Sequence, residues 1–90
     1  MSVGQIVFSK QGRDKGLPFV IVSTDESYLH LADGKLRKIE KPKKKKLMHV
    51  AKTNYVDTAL ANKFTNKEHI KNSDIRKVIE NFISLTRKGG

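Results

Sequence analysis

The strongest chemical signal in the sequence is a run of basic residues at positions 35–46, which reads KLRKIEKPKKKK. These positions hold eight basic residues and one acidic residue, so they contribute +7 to the net charge of +10 of the 90-residue chain. Positive charge clustered in this way creates a local potential that attracts a polyanion and speeds its association. The run therefore predicts a surface that binds phosphate groups.

A solvated or disordered loop is the plainest alternative interpretation of such a run. Strand-like patterns flank it on both sides, however, because it begins inside one and a last predicted strand, residues 46–50, follows it. Pro42 prevents a helix across the tract and favours an extended course that can follow an RNA groove or strand. We therefore expect a fold to hold the lysines in place.

The first fifty residues alternate apolar and polar positions between short turns, which predicts several antiparallel strands. Three of these strands are predicted at residues 4–9, 18–24 and 28–33. The segment 18–24 carries apolar residues on both of its faces, so we expect both faces to be covered. After the strand-forming part of the sequence, two helices are predicted, and we expect them to pack on the strands.

The dipeptide Asp33-Gly34 is typical of a two-residue hairpin turn. It predicts that residues 28–33 pair with residues 35–38 and that Leu36 faces the core. In this register Lys35 and Arg37 lie on the outer face, while Lys38 lies on the inner side and extends its amine outward.

Helical periodicity replaces the strand pattern in the last third of the chain. Val56, Ala59, Leu60 and Phe64 predict a short helix that ends near Thr65 or Asn66. A second helix is predicted to begin at Ser73 as N-cap, with Asp74 in its first turn. Its apolar face comprises Ile75, Val78, Ile79, Phe82 and Ile83. Its predicted C-terminal signals are Arg87, Lys88 and the closing Gly89.

Residues 4–22 read GQIVFSKQGRDKGLPFVIV, a strand, a loop containing Gly12 and Gly16, and an apolar strand. This segment resembles a KOW motif, with Gly16 at the hallmark glycine of the family. Glycine suits a tight loop between paired strands because the loop needs positive φ or a close backbone approach. An ordinary β-turn is the alternative interpretation. The continuation YLHLADGKLRKIEKPKKKKLMHV and the helix NSDIRKVIENF are similar to large-subunit ribosomal proteins of the L-fourteen-e type.

This resemblance implies a mainly β fold with C-terminal helices, in which an SH3-like small β-barrel is packed by one or two α-helices. It implies a single domain over residues 1–90, with the KOW-containing barrel at 1–50 and the helical part at 51–90. Ribosomal RNA is the implied partner, together with neighbouring ribosomal proteins, in the cytoplasm and without cofactor or catalytic activity. The residues that correspond to the basic loop and strand of the family are Lys10, Arg13, Lys15, Lys35, Arg37, Lys38, Lys41, Lys43, Lys44, Lys45 and Lys46.

Among these residues, Arg13 and Arg37 are the predicted positioning residues, because a guanidinium can hold one phosphate through two bonds or stack on an unpaired base. Tyr28, expected opposite Ile39, is a further stacking candidate, although a strand aromatic more often belongs to the core. The same phosphate contacts would serve a ribosomal subunit or a transient factor in ribosome assembly or translation regulation.

A polybasic membrane-surface module is a third interpretation. The chain has no cysteine to acylate, and Ser2 stands where N-myristoylation requires glycine, which weighs against this interpretation. The longest apolar run, residues 17–22, is far shorter than a spanning helix, and the N-terminus shows no basic n-region or apolar h-region, so we expect a soluble, unprocessed chain. The loop between Gly12 and Gly16 lacks the Gly-Lys-Ser/Thr ending of a P-loop, and three widely spaced histidines match no short metal-ligand motif. We expect no nucleotide hydrolysis and no metal site.

Overall fold

The computed structural model describes residues 1–88, with the side chains of Arg87 and Lys88 excepted; the predicted roles of those side chains and of Gly89 lie outside the described part. The strands are β1 (Gln5–Ser9), β2 (Pro18–Thr24), β3 (Tyr28–Ala32), β4 (Lys43–Lys46) and β5 (Val50–Val56). The helices are α1 (Thr58–Thr65) and α2 (Asn72–Lys88), and a short 3₁₀ helix spans Leu47–His49. The strands form one antiparallel sheet in the order β4-β3-β2-β1-β5. The mainly β architecture with C-terminal helices is thus confirmed.

The sheet is buried on both of its faces, as the pattern of residues 18–24 predicts. On one face Ile6, Val20 and Ala32 pack against the apolar face of α2 and against Leu60 of α1. On the other face Val7, Phe19 and Ile21 form a second cluster. The remaining buried members of this second cluster are Leu29, Leu31 and Val50. Each buried aliphatic or aromatic side chain stabilises the fold by about 1.5–3 kcal/mol.

The predicted hairpin at Asp33-Gly34 is wrong. Residues 33–42 form an irregular loop, and Leu36, placed in the core by the sequence pattern, is 81% exposed. The reason lies in the side chain of Asp33, whose Oδ1 accepts hydrogen bonds of 2.9 Å from the backbone N–H groups of Lys35 and Arg37. Such Asx bonding competes with the ladder of a strand. Lys38 consequently lies exposed in the loop and not on the inner side of a strand.

The partner of β3 is the lysine tract itself. Lys43–Lys46 form β4, with Leu29 opposite Lys45 and Leu31 opposite Lys43. The predicted strand at residues 46–50 is therefore wrong: Leu47–His49 is a 3₁₀ helix, and the last strand runs from Val50 to Val56, past the predicted boundary at residue 50. Lysine is disfavoured in strands, which hid β4 from the sequence pattern. The extended course predicted for the tract is confirmed for Lys43–Lys46, while the residues before Pro42 form a turn.

Both helices occur where periodicity predicts them, except that Val56, counted with the first helix, is the last residue of β5. Asp57 caps α1 by accepting a 2.8 Å hydrogen bond from the Leu60 N–H, and α1 ends at Thr65. The second helix begins at Asn72, one residue before the predicted cap Ser73, and the Asp74 carboxylate accepts a 2.9 Å bond from the Lys71 N–H. Within residues 1–88, no helix has the length and apolar character needed to cross a membrane.

Candidate nucleic-acid interface

Two loops distant in sequence enclose a groove of about 320 Å³ at one end of the sheet. The first loop, residues 10–17, joins β1 to β2; the second, residues 33–42, joins β3 to β4. The structure brings Arg13 of the first loop and Arg37 of the second to the same groove. We call it the basic groove, and its lining residues are Arg13, Asp14, Leu17, Phe19, Asp33, Leu36, Arg37 and Lys43.

Lys45 is buried beside this groove, because the alternation of β4 turns its side chain toward the inside of the sheet. Only 7% of the side chain is exposed. Its Nζ donates hydrogen bonds to Ser9 Oγ at 2.6 Å, to the Gln11 carbonyl at 2.6 Å and to Asp14 Oδ1 at 2.9 Å. An ammonium group has three donors, so all of them are used within the protein. Lys45 therefore fastens β4 to the first loop and has no donor left for RNA.

Asp14 is the shared partner of Lys45 and Lys43. Lys43 Nζ lies 2.6 Å from Asp14 Oδ2, and Ser9 Oγ donates a 2.7 Å bond to Asp14 Oδ1. Burial by itself would raise the pKa of Asp14, but the hydrogen bonds from Lys43, Ser9 and Lys45 outweigh it and hold the pKa well below its ordinary value. The cluster thus contains two cations and one stable anion, and its excess positive charge lies at the groove wall.

The second loop is held by α2. Arg76 Nη1 donates a 2.7 Å bond to the Gly34 carbonyl, and Asn72 Oδ1 accepts a 2.9 Å bond from the Ile39 N–H. Asn72 Nδ2 also lies 3.0 Å from both carboxylate oxygens of Glu40. Gly34 has φ +78°, and a Cβ there would collide with the Asn72 carbonyl and the Arg76 side chain. The C-terminal helix therefore fixes the loop that carries Arg37.

Lys44 and Lys46, which flank Lys45 in β4, are exposed. Lys44 Nζ lies 4.4 Å above the ring centroid of Tyr28, a cation–π distance. Tyr28 is paired with Lys46 and not with Ile39 as predicted, and one face of its ring is covered by the ammonium group. The geometry therefore leaves at most the opposite ring face for the stacking predicted at Tyr28.

The remaining predicted contacts lie on the two loops. Gly12 and Gly16 both have φ +86°, as the tight loop requires. The predicted basic residues that are exposed on these loops are Lys10, Arg13, Lys15, Lys35, Arg37, Lys38 and Lys41. Lys35 lines a separate groove with Arg76, so it lies toward α2 and away from Lys43.

Three features of the basic groove were missed by sequence reasoning. Leu17 and Leu36 are 43% and 81% exposed at the groove, where the pattern placed Leu36 in the core. Asp33 lines the groove as well, although its sequence position indicated only a turn. The positioning roles of Asn72 and Arg76 left no local signal, since their partners lie more than thirty residues away.

Within residues 1–88, no group of three or more His, Asp or Glu side chains could hold a metal ion. His30 Nε2 lies 3.5 Å from an Asp25 carboxylate oxygen. The pKa of Asp25 is lowered: slight desolvation opposes the shift, and hydrogen bonds from the Ser27 and Tyr28 N–H groups and from His30 cause it. This pair terminates a turn and resembles no ligand set.

Comparison of the chain with protein-family models gives no match, and comparison with curated proteins gives none. The likeness to KOW and ribosomal proteins therefore rests on the residues quoted above, and the function must be argued from the basic groove and its surroundings.

Proposed function

We propose that the chain is an RNA-binding ribosomal or ribosome-associated protein, which contacts ribosomal RNA through the basic groove, its two loops and the exposed side of β4. One observation carries the proposal: two separate loops and the first residue of β4 place Arg13, Arg37 and Lys43 around a single groove. The surrounding loop lysines are exposed, so the positive field extends beyond the groove itself. No catalytic step and no cofactor enter this proposal.

The proposed interface divides into two chemical classes. The lysines attract phosphates without reading sequence, while Arg13 and Arg37 hold them in defined geometry. Lys45 is left out because its amine is fully bonded inside the protein. The proposed contacts are Lys10, Arg13, Lys15, Lys35, Arg37, Lys38, Lys41, Lys43, Lys44 and Lys46.

The distribution of buried residues supports the SH3-like barrel as the finer fold. The cluster of Val7, Phe19 and Leu31 is 0–1% exposed, although none of its described members lies on a helix. A flat sheet of five short strands would leave this face open to water, so its burial favours strands and loops that curl over it. In the proposed barrel, the KOW-like segment supplies β1, β2 and the first loop.

A salt series tests the proposal with ribosomal RNA and anionic vesicles in parallel. If about six phosphates are neutralised, log K for RNA falls with log salt with a slope of about −4 to −5. Replacing Lys44 and Lys46 by alanine is expected to make that slope shallower by roughly 1.5, because two cations leave the interface. Replacing Lys67 and Lys77, two exposed lysines elsewhere on the chain, removes the same charge and is the matched control.

The two readouts separate the alternatives. Stronger binding to vesicles than to RNA would favour the membrane-surface module and overturn the proposal. Equal slopes for both double variants would show that the net charge acts as a whole and that β4 is not part of an interface. A transient assembly or translation factor uses the same contacts, and cosedimentation with mature subunits through a salt wash distinguishes it from a permanent ribosomal protein.

A further inference from the structure

The basic groove contains more than cations. Two of its lining residues, Leu17 and Leu36, expose apolar surface that water solvates poorly. Phosphate binding has no use for such side chains. Apolar surface beside guanidinium groups instead suits the flat face of a nucleobase, which binds through apolar contact and through stacking on arginine.

Asp33 adds a hydrogen-bond acceptor to the same groove. Its Oδ1 is occupied by the N–H groups of Lys35 and Arg37, at 2.9 Å each. Among the backbone groups of residues 1–88 and the side chains of residues 1–86, none donates to Oδ2. A free carboxylate oxygen repels phosphate, but it attracts the N–H groups on the edge of a base. Asp14 does not compete for this role, because both of its oxygens are already bonded.

We propose that the basic groove binds one unpaired RNA nucleotide, with its base between Leu17 and Leu36, its amino group donating to Asp33 Oδ2, and its phosphate held by Arg13 and Arg37. The volume of about 320 Å³ lies at the lower end of the range for small-ligand sites, roughly 300–1,000 Å³, and suits a single nucleotide. This inference rests on the proposed RNA-binding function and names the part of the RNA that the groove recognises.

The chemistry of Asp33 determines which bases fit. Adenine, cytosine and guanine each carry an exocyclic amino group that can donate to Oδ2. Uracil has no exocyclic amino group, and the one donor on its pairing edge, N3–H, lies between two carbonyl oxygens that a carboxylate repels. The groove is therefore selective for amino-bearing bases over uracil, which phosphate contacts alone cannot achieve.

Binding to RNA hairpins that differ only in one bulged nucleotide tests the inference. The bulge is cytidine, uridine or an abasic residue, and the dissociation constants are measured at one salt concentration. Wild-type protein is expected to bind the cytidine bulge roughly tenfold more tightly than the uridine bulge, the effect of one hydrogen bond to a charged group. The Leu36→Ala variant is expected to weaken binding to both bulged bases but not to the abasic hairpin.

Asp33→Asn replaces the free acceptor Oδ2 by an NH₂ donor and keeps the acceptor oxygen that bonds the two backbone N–H groups. The two backbone N–H donors require an acceptor oxygen at Oδ1, so the amide must place its NH₂ group at the position of Oδ2. The preference is then expected to shift from cytidine toward uridine. The ratio of the two constants is the readout, since loss of a negative charge raises affinity for every RNA.

The possible outcomes distinguish a failure of the nucleotide site from a failure of the proposed RNA-binding function. Steep salt dependence with equal affinity for all three hairpins would overturn the nucleotide site and leave the proposed RNA-binding function intact. Absence of RNA binding would overturn both. An unchanged cytidine preference in Asp33→Asn protein, shown by circular dichroism to be folded, would also contradict the inference. The comparison of the three hairpins with wild-type protein tests the inference even if the variant does not fold.

Discussion

Replacing Lys45 by alanine is expected to lower the free energy of unfolding by about 3 kcal/mol. The change removes the cation that bonds Ser9, Gln11 and Asp14, and it leaves the buried Ser9 hydroxyl without its donor and the Asp14 carboxylate with one cation fewer. Breaking a buried ion pair by removing one partner costs about 3–5 kcal/mol. We expect the lower end here because Asp14 keeps its bond to Lys43. Urea denaturation followed by circular dichroism measures the change.

Lys44→Ala is the matched control, since it removes the same charge from the adjacent position of the same strand. Its amine contacts only the ring of Tyr28 among the interactions of the described chain, so the expected loss is about 0.5–1 kcal/mol. RNA binding is expected to respond in the reverse order, with a shallower salt slope for Lys44→Ala. Equal destabilisation by the two substitutions would contradict the structural role of Lys45.

The Arg13→Lys, Arg37→Lys double variant is expected to bind ribosomal RNA about 10- to 100-fold more weakly without a change in salt slope. Both positions keep their positive charge, so the number of displaced counterions stays the same. Lysine loses the planar fork that forms two parallel bonds with a phosphate, and each lost bond costs on the order of 1 kcal/mol. Fluorescence anisotropy across a salt series measures affinity and slope together.

The corresponding double alanine variant separates charge from geometry. It is expected to weaken binding further and to make the slope shallower by roughly 1.5, because two cations are lost. Both arginines lie on exposed loop positions, so neither double variant is expected to change the unfolding midpoint by more than a surface substitution does. If the double lysine variant binds as well as wild type, the arginines act only as charges and the positioning role is wrong.

The stability and binding predictions are linked by preorganisation. Lys45 ties the first loop to β4, and Asn72 and Arg76 tie the second loop to α2, so Arg13 and Arg37 are presented from two anchored segments. A loop that is ordered before binding avoids the loss of conformational entropy that a disordered tract incurs when RNA orders it. If the chain binds RNA as proposed, the internal lysine is expected to support affinity without contacting the RNA.

Periodicity predicted the elements that bury apolar side chains. The strands β1, β2 and β3 and both helices occur within a few residues of their predicted bounds, because Ile6, Val20 and Ile75 belong to faces with regular spacing. The hairpin was mispredicted because Asp33-Gly34 fits a turn pattern equally well when the Asp33 side chain captures the following N–H groups. The strand β4 was hidden because four consecutive lysines show no apolar alternation.

The basic residues of the candidate site could be predicted from the sequence, but their arrangement in space could not. The clustering of basic residues predicted the charge of residues 35–46, the resemblance to the KOW family added the first loop, and Arg13 and Arg37 were singled out by their side-chain chemistry. Their common groove depends on which strand pairs with β3, and the burial of Lys45 depends on its register opposite Leu29. These are long-range facts that no local pattern contains.

Chemical-shift mapping by NMR during titration with a ribosomal RNA fragment tests whether the two loops and β4 form the interface. We expect amide shifts to concentrate in residues 10–17 and 33–42 and at Lys44 and Lys46, and to vanish in high salt. Lys77 of α2, which is exposed and lines a different groove with Lys63 of α1, is expected to remain unchanged. Shifts centred on α1 and α2, with the two loops unaffected, would contradict the assignment of the interface.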